Sequence, residues 1–332
     1  MIRIGDVQVE SRVWLAPMTG VSDLPFRKTA AALGARYVAT EMVASELLAA
    51  GRRDVVRRAA VDDSAQLKVV QLVGRERRWM AEGARMAEAA GADIIDLNFG
   101  CPAKEVTGGL SGSALMRDLD RAVGLIAAAV DATSRPVTVK MRLGWDDASR
   151  NAPELAARAE AAGARAFTVH GRTRQQFYTG QADWSAVRAV KAAVEVPVIV
   201  NGDVIDLATA RGALASSGAD GVMIGRGAYG RPWIAASVAA GLSGADQASP
   251  DAQDRLRIVE EHLLASVRFY GEALGVRMFR KHLGWYVEGG PAPCDAIARR
   301  QVKGRLCRLE SVSEILSSLG RLWSDHAERK AA

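Results

Sequence analysis

Eight short apolar runs rich in Val, Ile and Ala recur along the chain, each followed by a longer stretch with helical spacing. The runs are Val13–Met18, Tyr37–Glu41, Leu67–Val73, Asp93–Asn98, Val137–Arg142, Ala166–His170, Val196–Asn201 and Gly221–Gly225. Their continuous rather than alternating hydrophobicity suits parallel strands covered on both faces. Between them, Arg75–Ala90 places Met80, Ala84, Ala87 and Gly91 on one face, and Pro153–Ala162, Trp184–Val194 and Leu207–Ser217 look similar. Gly91, Gly163 and Gly218 stand where a helix C-terminal cap belongs, and each leads through Ala into a strand. The fragments "AAGADIIDL", "AAGARAFTV" and "SSGADGVMI" are three copies of one helix–Gly–strand joint.

Eight β/α units in about 240 residues match the size of a (β/α)₈ TIM barrel. Strand count alone leaves a doubly wound sheet as the alternative. The pattern changes after residue 243, where "GADQASPDAQ" is a small, polar, Pro-containing linker. Beyond it no strand-like run occurs, and Asp254–Leu274 and Glu310–His326 read as amphipathic helices. The expected α/β architecture is therefore a barrel over residues 1–243 with a small all-helical domain over 244–332.

Composition narrows the class. The chain is 49% hydrophobic and 25% charged, which is ordinary for a globular protein of 332 residues. Cys101, Cys294 and Cys307 make no disulfide framework, and His170, His262, His282 and His326 are too scattered for a metal signature. The N-terminus carries Arg3, Asp6, Glu10 and Arg12 in place of a signal peptide's apolar core, and no charge-free window has the length of a membrane span. The expectation is a reduced, soluble, cytoplasmic protein without a metal. Its net charge of +6 is concentrated: Arg277–Arg308 holds eight Lys or Arg against Glu288 and Asp295, so the remainder nets to zero.

Barrel active sites form at the C-terminal ends of the strands. Those ends carry Pro17, Met18, Thr19, Gln71, Asn98, Lys140, His170, Asn201, Gly225 and Arg226. Lys140, flanked by apolar residues in "PVTVKMRLG", needs an anionic partner if its ammonium faces the barrel mouth, unless it snorkels to the rim. Asn201–Gly202–Asp203 and Gly225–Arg226–Gly227 follow the last two strands, where this fold often binds phosphate. Either glycine turn alone is only a turn. Cys101 leaves a strand end through Gly100, as a small buried hydrophobe or as a general acid beside a substrate carbon. His170, followed by Arg172 and Arg174, is a structural or a site histidine. Trp145, Phe177, Tyr178 and Trp184 suit stacking on unpaired bases as well as core packing.

At these residues the chain resembles the tRNA-dihydrouridine synthases, in particular their bacterial B-type branch. The match runs from "LAPMTGVSDLPFR" through "QLVG", "DLNFGCPAKEV", "GSALM", "VKMRLGWDD", "TVHGRTRQQFYTGQADW", "VPVIVNGDV" and "GVMIGRGAYGRPW" to "RKHLGWY". The resemblance implies FMN in the barrel mouth. Pro17, Met18 and Thr19 would lie against its rings, Gln71 at its pyrimidine edge and Lys140 at its N1/O2 side. Asn201, Gly202, Asp203, Gly225 and Arg226 would hold its phosphate, and His170 belongs to the same site. It further implies that NADPH (or NADH) reduces the flavin, whose N5 then delivers hydride to uracil C6 while Cys101 protonates C5. Asn98, His170 and Arg172 would orient the base. Arg280, Lys281, His282 and Arg300 would serve a tRNA-binding surface on the helical domain, with no obligate protein partner and a monomeric chain. Phe99 and the loop "VTGGLSGS" depart from the family pattern; that loop lacks the basic residues of some relatives. Two other classes compete: an FMN-dependent dehydrogenase of a free pyrimidine, for which the basic appendage has no use, and a non-catalytic tRNA-binding regulator, for which a buried Lys140 has none.

Overall fold

The computed structural model describes residues 1–61, 67–245, 249–291 and 295–331, with backbone alone for 324–331. Cys294 and part of the expected linker lie outside these residues. An antiparallel hairpin of β1 (Ile2–Ile4) and β2 (Val7–Val9) precedes an eight-stranded parallel sheet. Its strands are β3 (Val13–Leu15), β4 (Val43–Ala44), β5 (Val69–Val73), β6 (Ile94–Phe99), β7 (Val137–Arg142), β8 (Phe167–His170), β9 (Val198–Asn201) and β10 (Gly221–Ile224). The order β3-β10-β9-β8-β7-β6-β5-β4 follows the chain around the ring.

The second expected strand differs from its neighbours. Residues 37–40 make only bridges, Val38 to Leu15 and Ala39 to Val69, and the ladder resumes at Val43–Ala44. Those two bridges join β3 to β5 and close the barrel.

Inside the ring the hydrophobicity alternates after all. Outward residues such as Leu15, Leu72, Leu97, Val139, Val200 and Ile224 pack on the helices in one core. Inward residues begin with an apolar floor of Trp14, Val69, Ile94, Ile199 and Met223, closed from below by Ile2, Ile4 and Val9 of the hairpin. One step of two residues higher, the same strands carry Gln71, Asp96, Asn201 and Gly225. A strand's period of two thus lifts polar groups onto the upper layers without breaking the outer core.

The helix–Gly–strand joints form as expected. Gly91, Gly163 and Gly218 all have positive φ (91°, 101° and 67°). At the first two, the Ala92 and Ala164 amides reach back to the Ala87 and Ala159 carbonyls, the long hydrogen bond of a Schellman cap.

After the barrel come four helices, Ala252–Tyr270, Glu272–Glu288, Ala296–Leu306 and Val312–Ala331. The expected single helix Asp254–Leu274 is broken at Gly271, whose φ of 82° ends one helix and starts the next. Their core gathers Val259, Leu263, Phe279, Leu283, Leu319 and Trp323, with Trp233 and Leu33 joining from the barrel. No described helix is long and apolar enough to cross a membrane.

Candidate active site at the barrel mouth

Above the apolar floor the strand ends enclose a cavity of ≈ 800 Å³. It is lined by Pro17, Met18, Thr19, Gln71, Asn98, Cys101, Lys140, His170, Asn201, Gly202, Asp203, Gly225 and Arg226. Strand register explains the convergence: Asn98 pairs with Lys140, Arg142 with His170, and His170 with Asn201.

Directly above that floor lies a hydrogen-bonded chain. Gln71 donates to Asp96 at 2.6 Å and accepts from the Asn98 amide at 2.7 Å, while Thr138 donates to the other Asp96 oxygen at 2.6 Å. Burial pushes the Asp96 carboxyl up to about 6, against those hydrogen bonds and the Lys140 charge. The Asn98 oxygen accepts from the backbone N–H groups of Gly100 and Cys101, fixing the loop that carries the thiol. Ser113 donates to the Cys101 carbonyl at 2.8 Å from the loop's far end.

Lys140 donates to Asn201 at 3.1 Å. Burial, reinforced by Arg142, pushes its ammonium down to about 8, with Asp96 and Cys101 opposing. An anionic group in the cavity would oppose that shift and hold the ammonium charged. Burial raises the Cys101 thiol, which therefore keeps its proton. Burial and the surrounding Arg142, Lys140, Arg172 and Arg226 hold His170 well below its usual range, as neutral imidazole. Its Nδ1 has no hydrogen-bond partner among the described residues.

The loops after β9 and β10 leave backbone exposed to the cavity. Gly202 has φ 112°, and a Cβ there would meet the Ala182 side chain at 2.7 Å and the His170 ring at 2.9 Å. Asp203, also at positive φ (56°), accepts from Arg172 and from the Ala182 amide, with Arg226 at 3.2 Å. Burial opposes ionisation there, but the Arg172 hydrogen bonds and the Ala182 amide outweigh it and hold the carboxyl below its usual range. Trp184 supports the same turn by donating to the Gly202 carbonyl.

Some expected residues lie elsewhere. Arg172, 1% exposed, does not line the cavity: its guanidinium is occupied by Asp203 and by the Thr179 and Gly180 carbonyls. It therefore braces the turn after β9 from behind. His282, 3% exposed, is buried among Phe26, His262 and Phe279, so no nucleic acid reaches it. Arg280 pairs with Glu310 at 3.6 Å, Lys281 turns towards Gly20 beside the cavity, and Arg300 is exposed.

Of the aromatics, Phe177 and Tyr178 reach the cavity. Tyr178, 52% exposed, lies under the guanidinium groups of both Arg142 and Arg226. Two residues of the site go beyond the sequence expectations. Arg142 holds the mouth's rim through the Gly100, Thr173 and Phe177 carbonyls. Asp96, its register partner on the neighbouring strand, anchors Gln71. A signal for both is present in the sequence: Arg142 is two residues beyond Lys140 and Asp96 two before Asn98, so each shares a strand face with a candidate site residue.

A parallel β/α barrel with convergent polar residues around a cavity at its mouth is the architecture of an enzyme. Comparison with known proteins agrees and is more specific. The family model for dihydrouridine synthase (Dus) matches residues 14–314, and the chain belongs to that family. A probable tRNA-dihydrouridine synthase of Rhodobacter capsulatus is 50% identical over 100% of this chain and 99% of its own length. One from Rhizobium leguminosarum is 54% identical, covering 85% and 87%. A tRNA-dihydrouridine synthase B of Pseudomonas putida is 42% identical, covering 90% and 89%. Among solved structures, a histamine dehydrogenase from Rhizobium sp. 4-9 superposes with TM-score 0.57 at 13% identity, over 80% of this chain and 50% of that one. That last likeness is one of fold.

Proposed function

We propose that the chain reduces a D-loop uridine of tRNA to 5,6-dihydrouridine, with NADPH or NADH as reductant and FMN as resident cofactor. The observation that carries this reading is the meeting, in one cavity, of a buried ammonium, a protonated thiol and a neutral histidine beside glycine backbone.

The residues present fit FMN. Gly202 and Gly225 bring bare backbone to the cavity wall, with Asn201, Asp203 and Arg226 around it, the setting in which backbone N–H groups hold a phosphate. The unpartnered His170 Nδ1 and the charge-seeking Lys140 supply polar contacts, and Pro17, Met18 and Thr19 with Gln71 offer a wall for a flat ring. Held there by these residues, a flavin would supply the hydride for uracil C6. The protein's task is then the second hydrogen. Cys101 holds a proton on Sγ and delivers it to C5; together with the hydride it saturates the C5–C6 bond. Asn98 keeps that thiol in place through the Gly100 and Cys101 amides. The uridine must leave its stack to enter the cavity, and Tyr178 and Phe177 at the rim offer aromatic faces for it.

We take residues 244–332 as the tRNA-binding unit of a monomeric, cytoplasmic enzyme, with exposed Arg277, Arg300, Arg305 and Arg308 as its phosphate contacts. The test is an absorbance spectrum of the purified protein followed by anaerobic mixing of its reduced form with unmodified tRNA. Flavin reoxidised by tRNA supports the reading. Flavin reoxidised only by a free pyrimidine, or no flavin after reconstitution, overturns it.

A further inference from the structure

Away from the barrel mouth, three titratable side chains meet where the first barrel helix packs on the C-terminal helices. Asp23 caps the helix Leu24–Ala32 by accepting from the Phe26 amide at 3.1 Å, and its other oxygen accepts from Tyr270 at 3.0 Å. His262 comes from the helix Ala252–Tyr270 and is 0% exposed; His282 comes from Glu272–Glu288. Their rings lie 4.6 Å apart, with Phe26 on one side and Phe279 on the other. One donor atom from each of the three residues falls within 4.8 Å of the others.

The Nε2 atoms of both histidines are buried without a hydrogen-bond partner. A buried polar atom left unpaired costs about 1–3 kcal/mol, so two of them beside one carboxylate require an occupant. Burial holds both imidazoles in the neutral form that ligates metals, His262 down to about 3. The Nδ1 of His262 is already engaged with the Tyr286 hydroxyl at 3.0 Å. With Nδ1–H as the donor, this is the outer hydrogen bond of a ligating histidine, and Nε2 is then free for an ion.

We propose that Asp23, His262 and His282 bind a divalent transition-metal ion of the zinc type. Two imidazoles and a carboxylate are borderline ligands suited to Zn²⁺, with Co²⁺ as a faithful substitute. Bonds of about 2.0–2.1 Å require the donors to draw together by small side-chain rotations. The site is sealed, so its role is structural: it ties the barrel's first helix to two helices of the C-terminal unit.

The full-length protein is incubated with Zn²⁺, freed of loose ion by gel filtration and assayed for metal; a second sample takes Co²⁺ and is scanned for ligand-field bands to the red of flavin absorption. We expect one ion per chain, tetrahedral Co²⁺ bands and a melting temperature raised by roughly 5 °C. His282→Gln should abolish all three. Asp23→Asn keeps a competent helix cap and should weaken retention at least tenfold, which guards against a variant that merely misfolds. No ion retained by the native protein would mean that a water bridges the rings. Equal retention by both variants would put the metal elsewhere. Either result overturns the proposal.

Discussion

His170 and His282 are both buried, both held neutral by burial, and each has a ring nitrogen without a protein partner. What separates them is the space alongside. His170 faces a cavity of ≈ 800 Å³ ringed by Lys140, Cys101 and Arg226. His282 is packed against Phe26 and Phe279 with His262 as its polar neighbour. At the mouth, unsatisfied groups face room for a small molecule; at the seam between barrel and helices they face one another. Burial alone therefore does not mark a catalytic residue. A buried group beside a volume able to hold a ligand is a candidate for one.

The sharpest way to break this contrast is Cys101→Ala. Dihydrouridine formation should fall about 10²–10⁴-fold, the usual range for losing a general acid, while bound flavin and its reduction by NADPH persist. Unchanged product formation would remove Cys101 from the chemistry. Next comes the brace behind the mouth. Arg172→Met leaves Asp203 without its bidentate partner and the Thr179 and Gly180 carbonyls without a donor, and should cost about 1–3 kcal/mol, seen in urea unfolding together with lost flavin; a loss of tRNA turnover alone would return Arg172 to the substrate. Gly202→Ala should cost about 1–3 kcal/mol for its left-handed φ and clash with His170, with flavin content per chain as the readout.

Two smaller effects sharpen the comparison. Replacing Arg300, Arg305 and Arg308 by Gln should flatten the salt dependence of tRNA binding by up to about 0.9 for each phosphate no longer neutralised, without changing flavin content. An unchanged slope would move the RNA surface. The smallest concerns Lys140. Its folded value of about 8 lies below that of an exposed lysine, so the unfolded chain binds more protons between about pH 8 and 10.4. Its contribution to the stability of the flavin-free protein is therefore full above that window and lost as pH falls through 8. Urea titrations at the two ends should show this difference, and Lys140→Met should remove it.

Much of the molecule is legible in the order of its residues. The apolar runs and glycine joints specify parallel strands in chain order because strand and cap preferences are local. Strand ends are likewise marked in sequence, which is why Gln71, Asn98, Lys140, His170 and Asn201 stand out there and are found around one cavity. Arg142 and Asp96 are marked only by the period of two they share with Lys140 and Asn98, a signal that gains meaning once the inner face is seen to change from apolar to polar with height. Arg172 and Trp184 illustrate the opposite limit. Nothing in "HGRTR" or "ADW" states that one will grip Asp203 and the other the Gly202 carbonyl, since those partners lie on the turn after a different strand and come within reach only as the barrel forms.

The sequence by itself determined the barrel's repeat, the location of its polar strand ends and the segregation of positive charge near the C-terminus, all of which depend on periodicity or composition within a few residues. Only the tertiary structure decided which of those groups share a cavity, which are spent bracing it, and that Asp23, His262 and His282 meet at all. Asp23 and His282 are 259 positions apart in the sequence, and their meeting depends on how the C-terminal helices pack on the first helix of the barrel, which no local pattern encodes.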